Sequence, residues 1–278
     1  MTSHLLKGKS VVVTGGGRGL GREMVLALLA AGAGVTAAAR SEDQLAALAT
    51  DANSLAGSLQ TVTADIRRAE DCAKITAAAG DRFGTPQVLI NNAGLTMAFI
   101  YPKRHLHTGT PKFWEVADAV VEDVMATNFI AADRLARLVA PEMVAGGWGR
   151  IINVTTKIEI MNRAASAPYG GSKAALEMTS EVWMKDLEGT GVTVNMLNPG
   201  AADTDGFASA EERKLVAKRM PLIDPALIGP PVVWLASEGS DGTNGQRFDV
   251  EFWDPDGAPE EQARRTGSAM GFQLKTEE

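Results

Sequence analysis

The sequence is poor in the residues that form disulfides or bind metals. Its one cysteine, Cys72, has no partner for an intramolecular disulfide, and a metal site built on several cysteines is excluded. Of the three histidines, His105 and His107 lie close together in a predicted loop and are a possible metal-binding pair. Without further ligands nearby, we expect no metal site.

Long apolar runs and clusters of basic residues are also missing. No stretch approaches the roughly 18 apolar residues that a membrane-spanning helix needs. The first ten residues are short and polar before the first predicted strand, and we expect no signal peptide there. The net charge of −7 carries no basic stripe, which argues against binding to nucleic acid. We therefore expect a cytoplasmic protein with no membrane or nucleic-acid partner.

The 278 residues suffice for a sizeable core, and the pattern along them alternates between strands and helices. This alternation predicts an α/β fold of the Rossmann type, a doubly wound parallel sheet of about seven strands with helices on both faces, in one domain over 1–278. Strands are predicted at 10–14, 34–39, 59–64, 87–91, 149–155, 191–197 and 245–250. Helices are predicted at 19–31, from 41, at 69–83, 116–140, 169–188 and 230–237.

A glycine-rich turn joins the first strand to the first helix. Glycine tolerates positive φ and lets main-chain N–H groups approach a phosphate closely, and the helix N-terminus favours negative charge. The spacing of the glycines is GxxxGxG and not the more widespread GxGxxG. The turn comprises Thr14, Gly15, Gly17, Arg18, Gly19, Leu20 and Gly21.

This turn, together with the sequence NNAG at 91–94, resembles the short-chain dehydrogenase/reductase family, and the resemblance extends over roughly 7–250. It implies an oxidoreductase that moves a hydride between a nicotinamide cofactor and a carbonyl or secondary alcohol. It also implies cofactor contacts after the fourth strand, after the third strand and after the sixth strand. These are Asn92, Ala93 and Gly94, then Asp65 and Ile66, and finally Pro199, Gly200 and Thr204.

The residues after the second strand indicate which nicotinamide cofactor is used. Enzymes that use NAD usually place an acidic residue there, to bind the ribose 2′-hydroxyl. This chain has Arg40 and Ser41 instead, and Arg18 in the glycine turn is aimed at the same region. Because arginine binds a phosphate through two hydrogen bonds, the pattern predicts NADP(H).

Tyr169 and Lys173 lie four residues apart and so share one helical face. A nearby ammonium lowers the pKa of a phenol and makes it a better acid–base catalyst. The resemblance implies that Tyr169 donates or accepts the proton and that Lys173 holds the nicotinamide ribose. It further implies that Thr156, where most members have serine, polarises the substrate oxygen, and that Asn128 relays protons through a water. Thr155 is adjacent, but alternation along a strand predicts that one of the two threonines faces the site.

The predicted substrate region consists of two irregular segments, about 95–114 and 201–231. Long loops in compact domains are usually functional. Candidate wall residues are Phe99, Tyr101, Phe113 and Trp114, with Phe207 and Met220 in a possible lid.

After Val250 the chain departs from the family, whose members often end in a glycine-rich turn. Here Phe252 and Trp253 precede a polar tail, about 252–278. The apolar pair is consistent either with contact to a neighbouring subunit or with packing in its own subunit. Family members are often tetramers that pair long helices and last strands, so the resemblance implies a homo-oligomer, a tetramer or a dimer.

Three functions remain open. The first is an NADP(H)-dependent ketone reductase or alcohol dehydrogenase acting on a small or medium organic molecule. The second is a 3-oxoacyl-(acyl carrier protein) reductase, for which Lys103 and Arg104 offer a weak basic patch. The third is a non-catalytic NADP(H)-binding sensor, which would have no need of Asn128, Thr156, Tyr169 and Lys173.

Overall fold

The computed structural model describes residues 4–102, 112–204, 210–218 and 221–272. In these ranges the chain forms one eight-stranded sheet with the order β3-β2-β1-β4-β5-β6-β7-β8. The α/β fold of the Rossmann type is therefore confirmed, with one more strand than predicted. The strands are β1 (Ser10–Thr14), β2 (Gly34–Ala39), β3 (Ser58–Thr63), β4 (Val88–Asn91), β5 (Gly149–Val154), β6 (Val192–Asn198), β7 (Gln246–Asp249) and β8 (Gly267–Ala269).

Helices connect the strands, and the long ones flank the sheet. None of the described helices is both long and apolar enough to cross a membrane. In chain order they are α1 (Gly19–Ala30), α2 (Glu42–Ala52), α3 (Ala69–Phe83), α4 (Met97–Ile100), α5 (Asp118–Met125), α6 (Ala131–Ala145), α7 (Ile158–Met161), α8 (Tyr169–Asp186), α9 (Ala210–Ala217), α10 (Gly229–Leu235) and α11 (Pro259–Thr266).

The sheet reverses its direction of growth between β1 and β4. From β1 the chain builds outward through β2 to β3 and then crosses back to place β4 on the other side of β1. All pairings from β3 to β7 are parallel, so the carboxyl ends of these strands meet at one edge. A crevice opens at such a reversal, because the connections leave in opposite directions.

The core lies on both faces of the sheet. Side chains alternate along a strand, so Val11 and Val13 pack against α1 on one face while Val12 packs on the other. Both faces are covered, which explains the continuous apolar runs VVV in the middle of β1 and VLI in β4.

The helix predicted at 116–140 is interrupted and extends further than expected. Between α5 and α6 the residues Ala126–Ile130 form a wider, π-helical turn. The helix then continues past Pro141 to Ala145. Proline removes one hydrogen bond from the helix, but the buried side chains of Val139 and Met143 keep both sides of Pro141 packed on the sheet.

The region predicted as a polar tail contains α11 and β8. The three residues of β8 pair antiparallel with β7, with Arg247 opposite Ser268. A strand of glycine, serine and alanine has no apolar alternation, which is why its sequence gave no signal. Trp253 is only 4% exposed and packs against Trp234 and Phe248, whereas 58% of Phe252 is exposed. Trp253 therefore belongs to the core of its own subunit.

Candidate active site

The glycine turn adopts conformations that require glycine. Gly15 and Gly19 have φ of +66° and +54°, a region that other residues rarely adopt. A Cβ on Gly21 would collide with the carbonyl oxygen of Gly15, and one on Gly17 would lie 3.1 Å from Gln44. The turn is thus packed closely enough that side chains at these positions would displace it.

Thr14 ties this turn to the end of β4. Its hydroxyl donates to the carbonyl of Ile90 at 3.4 Å and accepts from the main-chain N–H groups of Asn92 and Ala93, each at 3.1 Å. The Asn92 amide in turn donates to the carbonyl of Thr14 at 2.8 Å. These bonds hold the ends of the two strands together at the point where the sheet reverses direction.

A cleft of about 700 Å³ opens at this edge of the sheet. Most of the predicted site residues line it, whereas Thr14, Asp65 and Asn128 do not. Those that line it are Gly15, Gly17, Arg18, Gly19, Leu20, Gly21, Arg40, Ser41, Ile66, Asn92, Ala93, Gly94, Thr156, Tyr169, Lys173, Pro199, Gly200 and Thr204.

Two exposed cations lie at the β2 end of the cleft. Neither Arg18 nor Arg40 forms an ion pair within 4.0 Å among the described residues. Ser41 caps α2, because its hydroxyl oxygen accepts from the N–H of Gln44 at 3.3 Å. The hydroxyl hydrogen can still rotate and donate to another acceptor. This end can accept a group of negative charge.

Asp65 is engaged elsewhere. Arg67 donates from Nε to both oxygens of its carboxylate, at 3.0 and 3.1 Å, and from Nη2 at 2.6 Å. This guanidinium lowers the pKa of Asp65 below its usual value. Any contact of Asp65 with a cofactor would have to be shared with this ion pair.

On the far side of the cleft, Tyr169 begins α8, and its phenol lies beside the side chain of Thr156. Burial raises the pKa of Tyr169, while the side chain of Thr156 and the positive charge of Arg163 act in the opposite direction. A phenol in this setting is held protonated until a nearby positive charge or hydrogen-bond donor stabilises its anion.

Lys173 lies one turn further along α8 and is 4% exposed. Its ammonium donates to the carbonyl of Val154 at 2.7 Å. Burial lowers the pKa of Lys173 to about 8, because the interior disfavours the charged form. The group can therefore gain and lose a proton near neutral pH.

The two threonines at the end of β5 point in different directions. Thr155 is buried, and its hydroxyl donates to Glu177 at 3.1 Å. Thr156 is partly exposed and its side chain reaches Tyr169. The alternation expected from the sequence therefore places the hydroxyl of Thr156, and not that of Thr155, beside the phenol.

Asn128 is buried in the π-helical turn, and its side chain is committed to protein partners. Its Oδ1 accepts from the N–H of Leu95 at 2.7 Å, and its Nδ2 donates to the carbonyl of Leu95 at 3.0 Å and to the hydroxyl of Ser172 at 2.9 Å. Ser172 in turn donates to the carbonyl of Tyr169 at 2.7 Å. Asn128 thus fixes the loop after β4 against the start of α8.

The loop after β6 closes the cleft between the glycine turn and β7. Gly200 has φ of +73° and lies against Glu251, and its N–H donates to Asn198 at 3.3 Å. Thr204 packs against Gly19, 3.4 Å from where a Cβ would stand. Of the predicted residues of this loop, Thr204 therefore contacts the glycine turn directly, whereas Gly200 lies against Glu251.

The predicted substrate walls were partly wrong. Phe99, Tyr101, Phe113 and Trp114 do not line the cleft, which is bordered instead by 95–98 and by Ile160. Phe113 and Trp114 are 70% and 68% exposed and pack edge to face against each other. Their apolar character alone gave no information on which wall they would join. Phe207, Met220, Lys103, Arg104, His105 and His107 lie outside the described residues.

Sequence reasoning missed three charged residues of the cleft, Lys157, Arg163 and Glu251. Lys157 forms an ion pair with Glu251, and both line the cleft. The available signal was the departure after Val250, where a glutamate stands in place of the expected small residues. Among the described residues, no group of three histidine, cysteine or acidic side chains could hold a metal.

Comparison with protein families agrees with this geometry. The family model described as short chain dehydrogenase matches residues 9–215. The chain belongs to the short-chain dehydrogenase/reductase family. Members use a nicotinamide cofactor and act on small molecules, and the tightly packed glycine turn of this chain fits the pyrophosphate of such a cofactor.

Similar proteins include enzymes with different substrates. The chain is 30% identical to a fluoren-9-ol dehydrogenase of Terrabacter sp. (strain DBF63), covering 90% of this chain and 72% of that protein. It is 26% identical to a 3-oxoacyl-[acyl-carrier-protein] reductase of Thermotoga maritima, covering 88% and 97%. A solved short-chain type dehydrogenase/reductase from Mycobacterium ulcerans superposes with a TM-score of 0.76 at 23% identity, covering 88% and 89%.

Proposed function

We propose that this protein is an NADP(H)-dependent oxidoreductase that transfers a hydride between nicotinamide and a ketone or secondary alcohol of a small or medium organic substrate. The observation that carries the proposal is the meeting of Tyr169, Thr156 and Lys173 in the same cleft as the glycine turn. A cofactor that follows the turn from Gly15 to Gly21 would bring its ring towards these three side chains.

The preference for NADP(H) rests on the cations at the β2 end. Arg18 and Arg40 line the cleft where an NAD enzyme would have an acidic residue. A 2′-phosphate placed between them would form charge-assisted hydrogen bonds, and the hydroxyl of Ser41 could donate a further one. An NAD ribose would leave both arginines without a partner.

Each of the three proposed catalytic side chains then has a distinct role. In the direction of reduction, Tyr169 gives its proton to the substrate oxygen, and in oxidation it takes that proton back. Thr156 donates a hydrogen bond to the same oxygen and so favours its developing negative charge. Lys173 binds the ribose hydroxyls of the cofactor and stabilises the Tyr169 phenolate. The bound nicotinamide supplies or accepts the hydride.

For Asn128 we propose a positioning contribution to the proton relay. Its amide bonds to Leu95 and Ser172, and in this proposal main-chain atoms of the region and Lys173 hold the water of the relay. Asn128→Ala would release the loop after β4 as well as the start of α8.

A homo-oligomer is part of the proposal. Apolar side chains are exposed on α6 and α8, among them Leu138 (41%), Met178 (39%) and Val182 (48%). The outer edge of β7 is paired with β8 of the same chain. Because the helix faces are open and this strand edge is covered, we favour a dimer through the helices over a tetramer. Light scattering of the purified protein distinguishes the two.

The proposal further treats 1–278 as one domain that works in the cytoplasm, without membrane or nucleic-acid partners. The described part of the chain forms one sheet, which is compatible with a single domain. Limited proteolysis that releases two stable fragments would overturn the assignment of one domain.

The alternative function, reduction of 3-oxoacyl groups on a carrier protein, is favoured by the similarity to the Thermotoga maritima reductase. A third function, a sensor that binds NADP(H) without turnover, would not need a phenol, a hydroxyl and an ammonium lining the same cleft. The fluoren-9-ol dehydrogenase acts, as its name says, on a secondary alcohol, which supports the first proposal.

One panel of substrates separates these functions. Simple ketones and 3-oxoacyl thioesters are offered with NADPH and with NADH, and the nicotinamide absorbance is followed. Turnover of simple ketones with NADPH supports the proposal. Turnover confined to thioesters supports the carrier-protein reductase, and cofactor binding without any turnover supports the sensor.

A further inference from the structure

Glu177 and Arg247 form a buried ion pair next to the proposed catalytic residues. Glu177 is 0% and Arg247 5% exposed. The guanidinium contacts the carboxylate through two bonds, from Nε to Oε1 at 3.2 Å and from Nη2 to Oε2 at 2.6 Å. A buried ion pair adds little to stability, because removing two charges from water offsets their attraction. Its remaining contacts therefore indicate what it does.

The third nitrogen of the guanidinium contacts the main chain of the proposed catalytic threonine. Nη1 of Arg247 donates to the main-chain carbonyl of Thr156 at 2.7 Å. Thr156 follows the last residue of β5 by two positions, so the ladder of the sheet no longer holds it there. The bond from Arg247 fixes the main chain from which the Thr156 hydroxyl projects.

Glu177 extends the face of α8 that carries the catalytic pair. Tyr169, Lys173 and Glu177 follow one another at intervals of four residues, which places them on one side of the helix. Each contacts a different residue at the end of β5. The contacts are those of Lys173 with Val154, Glu177 with Thr155, and Tyr169 with Thr156.

The C-terminal segment completes this network. Just beyond β8, the N–H of Gly271 donates to Oε1 of Glu177 at 3.2 Å. The Glu177 carboxylate therefore accepts hydrogen bonds from three residues outside α8: Thr155, Arg247 and Gly271. With these donors in place the orientation of the carboxylate is fixed.

We propose that Arg247, oriented by Glu177, is a positioning residue that sets the direction of the Thr156 hydroxyl towards Tyr169 and the substrate oxygen. The inference rests on the proposed function, in which that hydroxyl takes part in the reaction. It adds a residue on β7 that does not line the cleft and that touches neither substrate nor cofactor.

The test compares Arg247→Lys with Arg150→Lys. Lysine keeps a positive charge beside Glu177 but lacks the separate nitrogen, Nη1 in arginine, that reaches the carbonyl of Thr156. Arg150 is also buried and paired with a carboxylate, but it lies away from the cleft. Thr156→Val serves as the reference for loss of the hydroxyl at nearly constant volume.

Two readouts are followed in the full-length protein. The first is kcat and KM with NADPH and the best ketone of the panel. The second needs no activity: the chain has two tyrosines, so in a Tyr101→Phe background the NMR signal of ¹³Cζ-labelled tyrosine reports the hydrogen bonding of Tyr169 alone. Thermal melting confirms that each variant is folded.

We expect Arg247→Lys to lower kcat about 10- to 100-fold, the loss typical of a misplaced catalytic group, with the KM for NADPH unchanged. It should also move the Tyr169 signal in the same direction as Thr156→Val, while Arg150→Lys does neither. If Arg247→Lys does not fold, the double variant Glu177→Gln with Arg247→Met, which removes both charges together, is measured in its place.

Wild-type kcat in the folded Arg247 variant, or an unmoved Tyr169 signal, would overturn the inference. If Thr156→Val is inactive while the Arg247 variant is fully active, this inference fails and the proposed function stands. If Thr156→Val retains full activity, the role of Thr156 in the proposed function fails, and the positioning role fails with it.

Discussion

The two ends of the cleft are held together in different ways. At the end proposed to bind the cofactor, called the cofactor end, a turn of a few consecutive residues is shaped by glycine and tied to one neighbouring strand by Thr14. At the end proposed to carry out the reaction, called the catalytic end, the main chain of Thr156 is bonded by Arg247, which is 91 residues away along the chain. The first end therefore depends on local conformation, and the second depends on side chains that only the folded sheet brings together.

The strongest test of this difference is Tyr169→Phe at the catalytic end. Phenylalanine keeps the ring but removes the proton that the substrate oxygen requires. We expect turnover to fall by about 10²- to 10⁴-fold, the usual contribution of a general acid. Affinity for NADPH, measured by fluorescence titration, should remain the same because the glycine turn is untouched. Full activity in this variant would remove Tyr169 from the mechanism.

The pH dependence of the free energy of unfolding tests whether burying Lys173 at the catalytic end destabilises the folded protein. Its pKa is about 8 in the folded protein and 10.5 in the unfolded chain, so between these values the unfolded chain binds more protons. The free energy of unfolding therefore rises with pH through this window, by up to about 3 kcal/mol.

Lys173→Met lacks this titration and provides the reference. Urea unfolding of both proteins, followed by tryptophan fluorescence at several pH values across the window, measures the difference. The wild type should gain stability relative to the variant as the pH rises from 8 towards 10.5. An identical pH slope in the two proteins would show that Lys173 is not buried with a lowered pKa.

At the cofactor end, Gly21→Ala tests the local packing of the turn. The added Cβ would collide with the carbonyl of Gly15, and we expect a loss of about 2 to 3 kcal/mol of stability together with weaker NADPH binding. Gly80→Ala is the matched control, because that glycine lies within α3 and nothing stands within 4 Å of the added atom. The control should be neutral or slightly stabilising, as measured by thermal melting.

The smallest expected effect concerns the choice of cofactor. Arg40→Asp replaces a cation with the acidic residue typical of NAD enzymes. Losing a hydrogen bond to a charged group costs about 2 kcal/mol, so kcat/KM with NADPH should fall roughly 30-fold relative to NADH. The ratio of the two values of kcat/KM measures it. An unchanged ratio would mean that the 2′-phosphate lies elsewhere.

Much of the fold was predictable because its signals are local. Short β-branched strands alternating with helices led to the parallel sheet, and the glycine spacing located the turn between β1 and α1. Most of the residues predicted to bind the cofactor line one cleft, because parallel strands end at the same edge of the sheet. The functional roles of these residues stay predictions until the variants are measured.

The errors share a physical origin. The strand β8 has no apolar pattern, and it exists because β7 offers it an unpaired edge. Phe99 and Tyr101 are apolar like many pocket residues, yet the path of the loop after β4 keeps them off the cleft. Glu251 and Lys157 are ordinary charged residues in the sequence, and they become part of the site because β7 and β5 end at the same edge of the sheet.

By itself the sequence determined the order of strands and helices, the glycine turn and the Tyr169 and Lys173 pair, because each depends on residues close together along the chain. Only the tertiary structure decided that Arg247 bonds to the main chain of Thr156. It also decided that Trp253 packs in its own core. Such contacts depend on distances between segments far apart in sequence, and those distances are set when the sheet assembles.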